Sequence, residues 1–285
     1  VFLWKFFEAA SGKEFIPHYQ FKDGIGVGDC VGQSTAAAVD MLMATEIVLH
    51  KEPEVWVAKA SIEAIYGGGR VEMGTDYGSD PHGLATDDAI EYIKKYGILH
   101  RIDYPDQGYD LSEYEIPRSL KWATAGVPDI LEPLAKEHPV QQYSKVANFD
   151  ELSDALAAGQ PVVIGSSYAT KDTRDAEGFG ELYTSGGQTY RRGRFFNLPR
   201  KKWAHCQVFV GIRNATDRPG ALLLNSHGPD WITGGKSFGM PDGSCWLTPE
   251  HCNLTIKDWG EAFAISSYVG HPGDRIERIK NHKLF

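Results

Sequence analysis

The chain has 285 residues, enough to bury a sizeable core in one large domain or two small ones. Its 42% hydrophobic content is ordinary for a globular protein, and no apolar run is long enough to span a bilayer. The formal net charge of −9 excludes a general nucleic-acid binder, which needs a basic surface to displace counterions.

The first fifteen residues, VFLWKFFEAASGKEF, are apolar and aromatic. They lack the basic start and long apolar centre of a signal peptide and are expected to pack onto their own domain. Residues 26–34 read GVGDCVGQS, with Cys30 set between small residues and a long helix expected over 34–49. That helix is apolar around its whole circumference and should be buried. A second helix is expected over 55–66, stopped by Gly67, Gly68 and Gly69, with a loop over 70–83. A third runs over 86–96, with Asp87 and Asp88 at its positive end and Gly97 after it. Residues 103–118 read as irregular.

The character changes near residue 148. NFDELSDALAAG is a short capped helix, and PVVIGSSY a strand. A Gly- and Arg-rich connection covers 170–203. HCQVFVGIR and ALLLNS read as two strands joined by the turn-rich NATDRPG, and SCWLT and AFAISSYV supply further strands. A mainly helical first half and a mainly sheet second half indicate an α+β fold with two subdomains and a cleft between them. The organisation expected is one domain over 1–285. It comprises a helical subdomain over 15–147, a β-rich subdomain over 148–270, and terminal extensions at 1–14 and 271–285. The basic runs RRGR at 191–194 and RKK at 200–202 read as solvated loop, with partner binding the alternative.

Four cysteines are too few for a disulfide-built scaffold of this size. Cys245 and Cys252 could bridge a short loop, but free thiols in a reducing compartment are expected. No CxxC pair exists, and His82, His100 and His227 with Asp80 or Asp103 show no metal-ligand spacing, so neither metal nor cofactor is expected.

Cys30 lies where the buried helix should begin. Unpaired N–H groups and the helix dipole there favour a thiolate, the nucleophilic form of the thiol. A nucleophilic thiol also needs a base and a group that orients the base. Of ten histidines, His205 opens an apolar strand, and Asn225 ends the next apolar run, where an amide could hold an imidazole.

Taken together these segments resemble the papain-like cysteine peptidase family. GDCVGQS resembles the family's G-S-C-W-A-F-S, and WAHCQVFVGI its H-A-V-x-x-V-G-Y strand. NSHGPDW resembles N-S-W-G-x-x-W, matching at Asn225, Ser226, Gly228 and Trp231. The matches run in family order over roughly residues 15–270. The resemblance implies a papain-like α+β fold with a helical N-terminal half and an antiparallel sheet or barrel in the C-terminal half. It implies Cys30 as nucleophile, His205 as base and then acid, and Asn225 as the residue that orients His205. Trp231 would shield the His–Asn bond, with Ser226 in support. It also implies a peptide or protein substrate.

The pattern departs in places. The family's oxyanion-hole Gln, six residues before the nucleophile, falls here on Gly24, and the nearest upstream Gln is Gln20. Either an insertion within FKDGIGVGD lets Gln20 reach the hole or that donor is missing. Gln33 is a further candidate, which helix geometry should point away. Val31 and His227 replace tryptophans. The family's substrate-binding glycines match loosely at His82 and Gly83, where His82 would narrow the cleft. These features indicate a divergent bacterial, archaeal or phage-type relative, cytoplasmic or virion-associated and not obviously secreted. The alternative expectation is a catalytically weak or inactive structural subunit with assembly neighbours, such as a phage particle's.

Overall fold

The computed structural model describes residues 1–22, 25–183, 205–214 and 217–272. Gly24, both basic runs, the end of the 170–203 connection and residues 273–285 lie outside them. Among the described residues no helix is long and apolar enough to cross a membrane.

The aromatic N-terminus packs against the rest of the domain. Helix α1 (Leu3–Ser11) buries Leu3, Trp4 and Phe7. The Trp4 indole N–H donates to the Gly239 carbonyl at 3.0 Å, and the Ile212 N–H to the Val1 carbonyl at 2.8 Å. A Cβ on Gly211 would come within 2.6 Å of the Trp4 ring, so the glycine lets that ring lie directly on the sheet backbone. Strands β1 (Phe21–Lys22) and β2 (Ile25–Gly26) then form a short antiparallel hairpin.

Helix α2 (Cys30–Thr45) starts at Cys30 itself, and every residue from Val31 to Thr45 is buried, as an all-round apolar sequence requires. It continues as a π-helical turn over Glu46–His50. Strand β3 (Glu54–Val55) follows, and helix α3 (Ile62–Val71) begins seven residues later than the sequence suggests, capped by the Ser61 hydroxyl. It also runs through Gly67, Gly68 and Gly69, which do not stop it. A Cβ at Gly67 would lie 2.7 Å from Trp122, and one at Gly68 2.0 Å from the Tyr92 ring. The triplet is small because its neighbours press against the helix, and packing outweighs the roughly 1 kcal/mol per glycine that propensity disfavours.

Helix α4 (Thr86–Lys95) supplies Tyr92. The stretch read as irregular holds a hairpin, β4 (Asp103–Tyr104) and β5 (Tyr109–Asp110), and helix α5 (Ile116–Ala125). Pro117 fits the first turn of that helix, where a missing N–H costs nothing. A single-turn helix, α6 (Glu132–Ala135), closes this half.

The second half is built on β6 (Val140–Lys145), β7 (Val162–Ser166), β10 (His205–Arg213), β11 (Gly220–Leu224), β13 (Ser244–Leu247) and β14 (Glu261–Tyr268). They form one antiparallel sheet in the order β13-β11-β10-β7-β14-β6. Its polar edge strand β6 lies ahead of the boundary expected at 148. All residues of β7, β10 and β11 are buried. This explains their unbroken apolar runs: α2 covers one face, and α7 (Phe149–Ala157) and α8 (Pro249–Trp259) pack against these strands as well. Helix α8 went unread in the sequence, although Thr248 caps it and Gly260, at φ 65°, ends it. A smaller sheet joins β8 (Thr170–Arg174), β9 (Gly180–Leu182) and β12 (Thr233–Gly234). The last strand, β15 (His271–Pro272), returns to pair with β3 in the helical half.

Candidate active site

None of the four cysteines is in a disulfide, and only Cys30 is partly exposed. Burial pushes the Cys206 and Cys252 thiols well up and Cys245 to about 12, which leaves those three inert. One turn below Cys30, the Ser34 hydroxyl donates to the Cys206 carbonyl at 2.9 Å. Ser34 therefore fixes α2 against β10 one residue beyond His205, so the head of the helix and the start of the strand meet at one end of that contact.

His205 is 4% exposed and Asn225 2%. They end neighbouring strands, and His205 Nε2 lies 2.8 Å from Asn225 Oδ1. An amide oxygen only accepts, so Nε2 carries the proton and the basic lone pair is on Nδ1. Oδ1 also accepts the Ser226 N–H at 2.7 Å, and the Asn225 N–H donates to the Gly243 carbonyl, which hold the amide in place.

The side chain that lies against the His205 ring is His227, not Trp231. Its ring stacks on His205 with centroids 4.4 Å apart and planes at 29°. Trp231 stands edge-on to His227 at 6.1 Å, with its indole N–H on the Gly243 carbonyl at 2.9 Å. The residue that replaces the family's tryptophan thus takes the position on the imidazole, and Trp231 backs it.

Gln20 is 1% exposed. Its N–H donates to the Ser226 carbonyl at 3.0 Å, its Oε1 accepts from the Ser226 hydroxyl at 2.7 Å, and its Nε2 donates to the Val27 carbonyl at 3.1 Å. The β1–β2 hairpin accounts for the long spacing to Cys30. Phe21 pairs with Gly26, so the extra residues loop out and residue 20 returns beside residue 27. An amide nitrogen has two hydrogens, and one remains beyond the Val27 bond. Gln33 is turned away, as expected, with Nε2 3.2 and 3.3 Å from the Asp29 carboxylate oxygens.

His82 and Gly83 lie beside the Cys30 loop. The Gly28 N–H donates to His82 Nδ1 at 3.0 Å, and the Gly83 N–H to the Gly28 carbonyl at 3.0 Å. Gly83 has φ +87°, and a Cβ there would meet nothing within 4 Å. Its backbone conformation requires glycine, and the space before it is open to a substrate chain. Arg70, 2% exposed, organises this strip and had no signal in the sequence. Its guanidinium donates to the carbonyls of Asp80, His82, Gly83 and Ala123. The Tyr66 hydroxyl adds a bond to the Pro81 carbonyl at 2.6 Å.

Asp29, next to the thiol, also escaped the sequence reading. It is fully buried and bonded by the Tyr114 hydroxyl at 2.7 Å, the Ser119 hydroxyl at 3.1 Å and Gln33. Burial outweighs these bonds and pushes its carboxyl up to about 7. The folded chain therefore keeps a proton that the unfolded chain releases near pH ~4. Stability from this group is greatest below that pH and falls as pH rises towards about 7, by an amount on the order of 4 kcal/mol. Asp29→Asn should gain stability relative to the parent on going from acid to mildly alkaline buffer. Denaturant melts of both chains across that range check this, and a constant difference would contradict it.

No protein-family model matches the chain, and no curated protein sequence matches it. Solved structures do. Xylellain, a cysteine protease from Xylella fastidiosa, superposes with a TM-score of 0.58 at 18% identity, covering 90% of this chain and 84% of xylellain. Procathepsin B from Trypanosoma congolense gives 0.53 at 13% identity, covering 95% and 76%. The likeness is one of fold: the chain has the α+β papain-like fold.

Proposed function

We propose that this chain is a cysteine peptidase that hydrolyses peptide bonds through Cys30, His205 and Asn225. In the first step the Cys30 thiolate attacks the peptide carbonyl carbon, and the carbonyl π pair moves onto oxygen. The Cys30 backbone N–H and the Gln20 amide are the donors to that oxyanion. As it collapses, the C–N bond breaks, protonated His205 gives its proton to the leaving amine, and a thioester remains. His205, now neutral, takes a proton from water, whose oxygen attacks the thioester, and release of the acid restores the thiolate–imidazolium pair.

The observation that carries this reading is the 2.8 Å His205–Asn225 bond, held by β10 at the head of the helix that begins with Cys30. The inactive-scaffold reading keeps His82, bonded to Gly28, in its favour, while Gln20 is anchored beside Ser226 and the aromatic N-terminus packs onto its own core. The basic runs at 191–194 and 200–202, the other candidate for partner binding, lie outside the described residues. The test is digestion of a mixed peptide library read by mass spectrometry. Internal cleavage is expected, and cleavage that survives in Cys30→Ala would overturn the proposal.

A further inference from the structure

Sequence spacing gives no metal site, and the histidines considered there are dispersed by the fold. His82 is held on Gly28 and His227 on His205. His100 instead joins two histidines far from it in the chain. His100, His138 and His271 each offer a ring nitrogen, and the three nitrogens lie within 4.8 Å of one another. Their exposures are 2, 5 and 9%. We propose that these three imidazoles form a site for a divalent transition-metal ion, zinc by the chemistry of the donors.

The ring orientations suit ligation. His138 Nδ1 is 2.9 Å from the Val269 carbonyl, which can only accept, so the lone pair of His138 is on Nε2. His100 Nε2 is 2.8 Å from the Tyr268 hydroxyl, and donation to that oxygen puts the His100 lone pair on Nδ1. That Nδ1 is 3.3 Å from His271 Nε2, which donates to it in the metal-free chain and would take the other tautomer, with its proton on Nδ1, to bind an ion. Two Zn–N bonds of about 2.0–2.1 Å at a tetrahedral angle span roughly 3.3–3.4 Å, the same separation. Bonds from ligand imidazoles to a carbonyl and a hydroxyl are the supports that metal-binding histidines use to fix tautomer and ring plane. The remaining nitrogen separations are at most 4.8 Å.

The three residues come from separate parts of the fold. His100 follows α4 and bridges Ala60, His138 precedes β6, and His271 is in β15 on β3. The strap between β14 and β15 is already tied to the helical half, with the Tyr268 N–H on Glu46 and the Gly270 N–H on Glu54, both at 2.9 Å. A metal ion would staple the strap there, and its role would be stability, not peptide hydrolysis.

The experiment uses the full chain carrying Cys30→Ala, so that the thiolate does not take the ion. The chelator-treated, folded protein is titrated with Zn²⁺ alone. One equivalent should bind and raise the unfolding midpoint by roughly 5 °C at a hundredfold excess over Kd. X-ray absorption at the zinc edge should show three imidazole nitrogens near ~2.0 Å. His138→Gln and His271→Gln should each weaken binding by about 100-fold or more. If either variant fails to fold, the absorption spectrum of the chain with its histidines intact decides. No saturable binding, a zinc shell without imidazoles, or affinity unchanged in a folded Gln variant would each overturn the proposal.

Discussion

Cys30→Ala is expected to lower kcat/KM for peptide hydrolysis by about 10⁴-fold or more, His205→Ala by a similar factor, and the double variant no further. The thiolate and imidazolium act as a unit: without the ring the thiol is a poor nucleophile, and without sulfur the ring has nothing to activate. Neither change should unfold the chain. Cys30 is partly exposed at the head of α2, and alanine suits a helix. His205 loses one bond to Asn225, and the rest of β10 keeps its ladder to β7 and β11. Steady-state kinetics on a cleaved peptide, with circular dichroism on each variant, measures this. Losses that multiply in the double variant would mean that the two groups act separately.

Gln20→Ala should cost about 100- to 1000-fold in kcat with little change in KM, because an oxyanion donor acts on the transition state and not on the bound substrate. The substitution also leaves the Ser226 hydroxyl and the Val27 carbonyl without their Gln20 partners. A loss of roughly 1–3 kcal/mol in stability is expected alongside, so kinetics belong well below the melting transition. A kcat within a few-fold of the parent would remove Gln20 from the oxyanion hole and leave it as the brace between residues 20–27 and 225–226.

The parts of this molecule that were legible in sequence are those where one local pattern decides the outcome. The unbroken apolar run HCQVFVGIR became β10 to the residue, because a strand covered on both faces has no polar alternation to confuse it. Cys30, His205 and Asn225 could be singled out as candidates because each sits where an apolar element begins or ends in the sequence. The glycine triplet at 67–69 misled, since a small residue that stops a helix and one that admits a neighbouring ring look alike in sequence. Trp231 was expected at the His–Asn bond by its position in a motif, while the ring stacked on His205 is that of His227. The place of Gln20 was ambiguous in sequence, as the count of residues to Cys30 does not show the hairpin that brings residue 20 beside residue 27. Asp29, Arg70 and the His100–His138–His271 cluster had no local signal. Their partners come from distant segments, and only the fold assembles them.

The alkylation rate of Cys30 by a small haloacetamide, followed against pH, tests the proposed thiolate–imidazolium pair most directly. Peptide mass spectrometry reports Cys206, Cys245 and Cys252 in the same sample, where burial holds their thiols protonated. The expected result is rapid modification of Cys30 well below about pH 7, lost in His205→Ala, with the other three unreactive. A Cys30 that titrates as an ordinary thiol near about 8.5, indifferent to His205, would contradict the pair and leave a structural cysteine at the head of α2.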